Sequence, residues 1–225
     1  MKKKRSLSSD GVVSWNERGI STFISMIAAA EPLPAGGSAA ALAGTLGAAL
    51  GEMMAGLTEG RAEFAPVQDQ VVEIHKKLAG LRNELQGLIR EDAAVYQSLL
   101  EAIRMPRETE SQRAARASAI EACARGATDT PLRTARAVLV VLECLKTLIE
   151  IGNPNARCDA AVGAQLAYAS LKGAQYNILA NTRTLKDKAF AADCRSEISA
   201  LLLKGAGILK HVDSMVAARD GRTAT

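Results

Sequence analysis

Aromatic residues make up only 3% of this 225-residue chain, and there are just two histidines. With His75 and His211 far apart, a Cys/His zinc site has little to build on, and no serine or cysteine has a histidine partner in sequence context for a nucleophilic triad. Cys123, Cys144, Cys158 and Cys194 are widely spaced and show no C-x-x-C pairing, which reads as reduced small hydrophobes rather than bridges or metal ligands. No segment has the alternation of a strand, and no repeat period is evident. The net charge of +4 is modest and much of it sits in Lys2, Lys3, Lys4 and Arg5, a solvated tail rather than a nucleic-acid or membrane patch. That basic start runs into the polar, turn-rich stretch 6–16 instead of an apolar core, so a secretory signal is not expected and the cytoplasm is.

What is present is apolar content of 48%, drawn mainly from Ala and Leu, which favour helix over strand. The expectation is an all-α, single-domain bundle of six or seven helices over residues 14–219, flanked by tails at 1–13 and 220–225. A capping box at Ser14 to Glu17 opens helix one, with Ile20, Phe23, Ile24 and Ile27 at helical spacing up to residue 30. Pro32, Pro34, Gly36 and Gly37 then interrupt it, and Ser38 is placed to cap a second helix over 39–57. That helix is long enough to span a membrane, but it is mostly Ala and Gly and carries Glu52. Its stacked rows, Ala40, Gly44, Ala48 and Ala43, Gly47, Gly51, have two readings. One is close packing of a central helix; the other is access of a ligand to the backbone.

Residues 66–103 form one long pattern in which Val71, Ile74, Leu78, Leu81, Leu85 and Leu88 step by three and four. The next step lands on Asp92, where an unpaired carboxylate would be expensive to bury. Either the helix shifts register, or Asp92 finds a cationic partner, or its environment tunes it for chemistry. His75 lies beside this seam, as a partly exposed histidine would. Thr109 to Gln112 has the form of a second capping box, and Thr130 followed by Pro131 reads as the N-cap and first residue of a fifth helix striped by Leu132, Leu139, Leu142, Leu145 and Ile149. A second polar turn, Gly152, Asn153, Pro154, Asn155, feeds another small-residue helix with Asp159, Gly163, Ala167 and Gly173, ending near Asn181. A last helix is expected over 187–218.

A glycine turn leading to a serine at a helix start can seat a carboxylate or polarised oxygen, but this one matches neither the P-loop nor the dinucleotide fingerprint. The stretch EPLPAGGSAAALAGTLGAALGEMMAGLTEG resembles the opening of the cyclodeaminase/cyclohydrolase family of folate enzymes. The segments LRNELQGLIREDAAVYQSLLEA, MPRETESQRAARASAIEACARGATDTPL and GNPNARCDAAVGAQLAYASLKGAQYNILANTRTLKD are similar to later family segments in order and spacing. The resemblance implies hydrolysis of 5,10-methenyltetrahydrofolate to the 10-formyl form. Alternatives are cyclisation of 5-formiminotetrahydrofolate with loss of ammonia, and a non-catalytic folate-binding or scaffold protein. It implies a homodimer with a folate derivative as ligand, no metal and no cofactor beyond the tetrahydrofolate substrate. Asp159, ahead of Asp92, is nominated as the catalytic carboxylate, and Asn153, Asn177 and Asn181 as groups that orient the pterin or the water. Gly36, Gly37 and Ser38 would supply the turn that approaches the ligand. Ala35 stands where the family usually has a third glycine. In place of consecutive lysines after the second helix this chain has Arg61, which keeps one positive charge for an anionic folate tail but does not donate a proton near neutral pH.

Overall fold

A computed structural model describes residues 19–220, with six α-helices and no strand among them. The capping box proposed at residues 14–17 and the expected basic tail lie outside the described residues. Helix α1 (Ile20–Ile27) is held by one buried side chain, Phe23, while Ile20, Ile24 and Ile27 face outward. Helix α2 (Gly36–Gly56) is followed by a 3-10 turn (Ala62–Val67) and by α3 (Gln68–Arg104), whose buried face is Val71, Ile74, Leu78, Leu85 and Leu88, as the stepping requires. Helix α4 (Glu110–Ile151) begins at Thr109, whose hydroxyl accepts from Gln112 N while the Gln112 side chain accepts from Thr109 N. After a 3-10 turn (Pro154–Ala156) come α5 (Arg157–Asn181) and α6 (Lys188–Asp220), the latter started by Asp187 accepting from Phe190 N.

The two small-residue helices, α2 and α5, form the central pair; α3 and α4 pack on them, and α6 covers α4 and α5. Alanine and glycine are what let α2 and α5 approach. A Cβ on Gly47 would stand 2.8 Å from the carbonyl oxygen of Gly163, and one on Gly163 would stand 3.1 Å from that of Gly47. The glycine rows at mid-helix therefore serve close packing, and their conformational cost of about 1 kcal/mol per residue is offset by backbone contact across the crossing. Among the described residues α2 is the one helix long and apolar enough to cross a membrane; half of that window is buried inside the bundle, and Glu52 is engaged by Arg82 at 2.6 Å. The four cysteines are free thiols, two of them buried. His75 is half-buried beside the α3 seam, 2.6 Å from Glu59.

Two boundary expectations are corrected. Helix α2 starts three residues before Ala39, so Ser38 is not its N-cap but lies inside its first turn; the N-cap position is Ala35, which has no side chain to cap with. Thr130 and Pro131 do not open a helix either. They lie within the 42-residue α4, because the threonines around the proline bond back to their own helix: Thr130 Oγ1 donates to Gly126 O and Thr134 Oγ1 to Thr130 O. What reads locally as a start signal is a proline carried inside a continuous buried helix.

Candidate functional site

A helix that begins on alanine leaves its first N–H groups without a local acceptor. In this molecule the acceptor comes from another helix. Asp92 of α3 reaches the N-terminus of α2, where its carboxylate accepts a 2.8 Å hydrogen bond from Ser38 Oγ and another from the Ser38 backbone N–H. Ser38 itself is fully buried, and its hydroxyl also lies 3.2 Å from Ile89 O. The carboxylate rests directly on the backbone: a Cβ at Gly37 would fall 2.1 Å from Asp92 Oδ1. Glycine is needed at 37 for that close approach, whereas Gly36 has open space around it.

The partner of Asp92 is thus a hydroxyl and a helix N-terminus rather than the cation weighed from sequence. Burial pushes its carboxyl above the usual aspartate range, and the two hydrogen bonds from Ser38 pull against that rise without cancelling it. Such a group takes a proton more readily than a surface aspartate, and the helix start works in the opposite sense by favouring its charged form.

Asp92 and Gly37 line a shallow crevice that opens to solvent; Thr130, Pro131 and Thr134 of α4 form another wall, and Asn177 of α5 completes it. Ala40, Leu88 and Ala174 make the apolar floor. Asn177 donates Nδ2 to Gly173 O within its own helix, which leaves its amide oxygen as the group it can offer to a ligand. Behind the wall Glu91 accepts from Arg133 Nη1 at 2.5 Å, keeping that carboxylate paired beside Asp92. Among the described residues no cluster of three His, Cys, Asp or Glu side chains is arranged to hold a metal.

Residues 19–200 match the family model described as formiminotransferase-cyclodeaminase. The chain belongs to that family. A methenyltetrahydrofolate cyclohydrolase from Methylorubrum extorquens is 34% identical over 193 residues, covering 86% of this chain and 93% of that protein. A formimidoyltransferase-cyclodeaminase from Mus musculus is 31% identical over 180 residues, 80% of this chain but 33% of the mouse protein, so this chain spans about a third of that relative. The structure of a formiminotetrahydrofolate cyclodeaminase from Thermotoga maritima superposes with a TM-score of 0.81 at 22% identity, over 90% of this chain and 98% of that one, and shares its fold.

In this member of the formiminotransferase-cyclodeaminase family the nominated residues fall into two groups. Gly37, Asp92 and Asn177 line the crevice, with Ser38 buried behind Asp92, Gly36 next to Gly37 at the start of α2 and Asn181 one turn further along α5. Asp159, Asn153 and Arg61 lie at the other end of the α2–α5 pair. Asp159 is exposed in the first turn of α5, 18 residues before Asn177, about 27 Å along the helix axis at 1.5 Å per residue. Asn153 is buried and engaged: its N–H donates to Thr58 Oγ1, its Nδ2 to Leu57 O, and its Oδ1 accepts from Asn155 N. Arg61 pairs with Glu63 at 3.0 Å and lies over the Phe64 ring. The α4 wall of Thr130, Pro131 and Thr134 was not among the residues nominated from sequence. A proline amid closely spaced threonines in the middle of an apolar helical stripe was the available signal.

Proposed function

We propose that this protein hydrolyses 5,10-methenyltetrahydrofolate to 10-formyltetrahydrofolate, with Asp92 as the general base. The observation that carries this reading is one half-buried carboxylate, fixed by Ser38 against the Gly37 backbone and lining a crevice that Asn177 also lines. The substrate is a cation delocalised over N5, the bridging carbon and N10. An ionised Asp92 attracts that cation and accepts a proton from the water that attacks the carbon, a contribution of about 10² to 10⁴ in rate. The tetrahedral adduct then loses its hydroxyl proton and breaks the carbon–N5 bond. Protonated Asp92 returns its proton to N5, so each turnover consumes one water and releases one proton. Asn177 would orient the water through its amide oxygen. No metal, and no cofactor beyond the folate itself, has a part in these steps.

The crevice is a shallow surface groove, not the enclosed cavity of ordinary ligand sites. One chain therefore offers a single face of the site, and most of the folate lies on further surface. A homodimer supplies that surface in this reading. Leu46, Met53 and Leu57 leave an exposed apolar row along α2 beside Val162 of α5, which is 54% exposed. Arg61 would meet an anionic folate tail, and Asp159 would act at a crevice only as the contribution of a second copy. The reaction belongs to the cytoplasm, with no nucleic-acid or membrane partner.

The 34% identity to a cyclohydrolase along nearly its whole length places hydrolysis ahead of ammonia release. The test is the decay of methenyltetrahydrofolate absorbance with purified protein, corrected for spontaneous hydrolysis, beside formation of the same chromophore from 5-formiminotetrahydrofolate. Accelerated decay alone supports hydrolysis. Chromophore formation with ammonia release would make the protein a cyclodeaminase, and folate binding with neither reaction would make it a non-catalytic binding protein.

A further inference from the structure

Pro131 has no N–H, and its ring crowds the carbonyl four residues earlier, so the oxygen of Ala127 is left without its helical donor. That oxygen is nevertheless satisfied. Asn181, the last residue of α5, donates Nδ2 to Ala127 O from 54 positions away. The proline sits between Thr130 and Thr134 in the crevice wall, and Asn181 stands one helical turn beyond Asn177, the residue across that crevice. One amide thus ties the end of α5 to the point where the hydrogen-bond ladder of α4 lacks a donor.

We propose that Asn181 is a positioning residue: it stands in for the N–H missing at Pro131 and so fixes the Thr130–Pro131–Thr134 wall relative to Asn177 and Asp92. This rests on reading the crevice as the reaction site. The role differs from the ligand contact nominated from sequence, because it depends on Pro131 and a ligand contact does not. Proline in mid-helix is costly unless something replaces the lost bond, and here the replacement comes from the helix that carries the other wall.

The dependence gives the experiment. Pro131→Ala restores a backbone N–H that can bond Ala127 O within α4, and so removes the need for Asn181. In wild type, Asn181→Ala should lower kcat/KM about 10²-fold, the order expected when a catalytic surface moves by about 1 Å. In the P131A background the same substitution should change kcat/KM less than about twofold, a readout that does not require the single Asn181 variant to fold. Equal losses in both backgrounds would overturn the proposal and return Asn181 to ligand contact. A lowered Tm with unchanged kcat/KM in wild type would overturn it as well, leaving only a structural bond. Amide hydrogen exchange over residues 127–135, run on the same four proteins without folate, separates this from the assignment of the reaction. Faster exchange on Asn181→Ala only when Pro131 is present supports the tie even if wild type turns over neither folate, and the same acceleration in both backgrounds counts against it.

Discussion

The two polar turns of this chain look alike in sequence and do opposite things in the molecule. Each leads into a helix of small residues, and each offers backbone groups near a helix start. At the second turn those groups are consumed by neutral partners: Asn153 Oδ1 accepts from Asn155 N within the turn, and the end of α2 supplies Thr58 Oγ1 for Asn153 N and Leu57 O for Asn153 Nδ2, so the joint is closed. At the first turn nothing local is available, since Ala35 cannot cap, and the acceptor is a carboxylate brought from α3. A turn closed by neutral groups becomes scaffold. A turn that borrows an acidic group from elsewhere acquires a half-buried carboxylate at a surface crevice, which is a reactive arrangement.

The sharpest way to break this contrast is to remove the borrowed charge. Asp92→Asn keeps an acceptor for Ser38 Oγ and a similar shape, so folding should persist while kcat/KM falls about 10²- to 10⁴-fold. Activity within a few fold of wild type would remove Asp92 from the mechanism. The same variant has a stability signature. Burial raises the Asp92 carboxyl in the folded state above its unfolded value, so between those two values the folded protein binds more protons than the unfolded chain. Wild-type stability should therefore decline as pH rises through that window, with the proton held by the fold below it, and Asp92→Asn should lack that decline in pH-dependent denaturation.

At the closed turn the expectation reverses. Asn153→Ala leaves Leu57 O and Asn155 N without their partners and should cost about 2 to 3 kcal/mol by denaturant unfolding. Measured where the protein is still folded, kcat/KM should stay within about twofold. A large loss of turnover with stability intact would instead make Asn153 a ligand contact and merge the two turns functionally.

Much of this contrast lay beyond local sequence for an identifiable reason. Apolar stepping located α3 and α6 closely, because periodicity reports a face that any neighbour can bury. It was blind to what fills the gaps. Ser38 has the form of an N-cap and Thr130–Pro131 the form of a helix start, and both were misread because the deciding partners, Asp92 and Asn181, lie more than 50 residues away. The step that landed Asp92 on an apolar seam was informative without long-range knowledge. One grouping could have been tested by arithmetic alone: Asp159 and Asn177 belong to a single continuous helix pattern, and 18 residues of helix cannot bring both to one small crevice within one chain.

The smallest expected effect is also the most specific to the open turn. Of the two hydrogen bonds that hold the Asp92 carboxyl down against burial, the one from the Ser38 hydroxyl is the larger influence, and the backbone N–H is the lesser. Ser38→Ala deletes the first and keeps the second. The Asp92 carboxyl should then rise further, and the acid limb of kcat/KM, below which the base is protonated and idle, should move to higher pH while the plateau above it stays within about threefold. Ile89 O loses only a second donor from the hydroxyl, so stability should change little. A limb that shifts ties the reaction to the carboxylate held at the start of α2. A limb that stays fixed while the plateau falls would mean that the titrating base is another group, and that Ser38 acts only by holding the start of α2 in place.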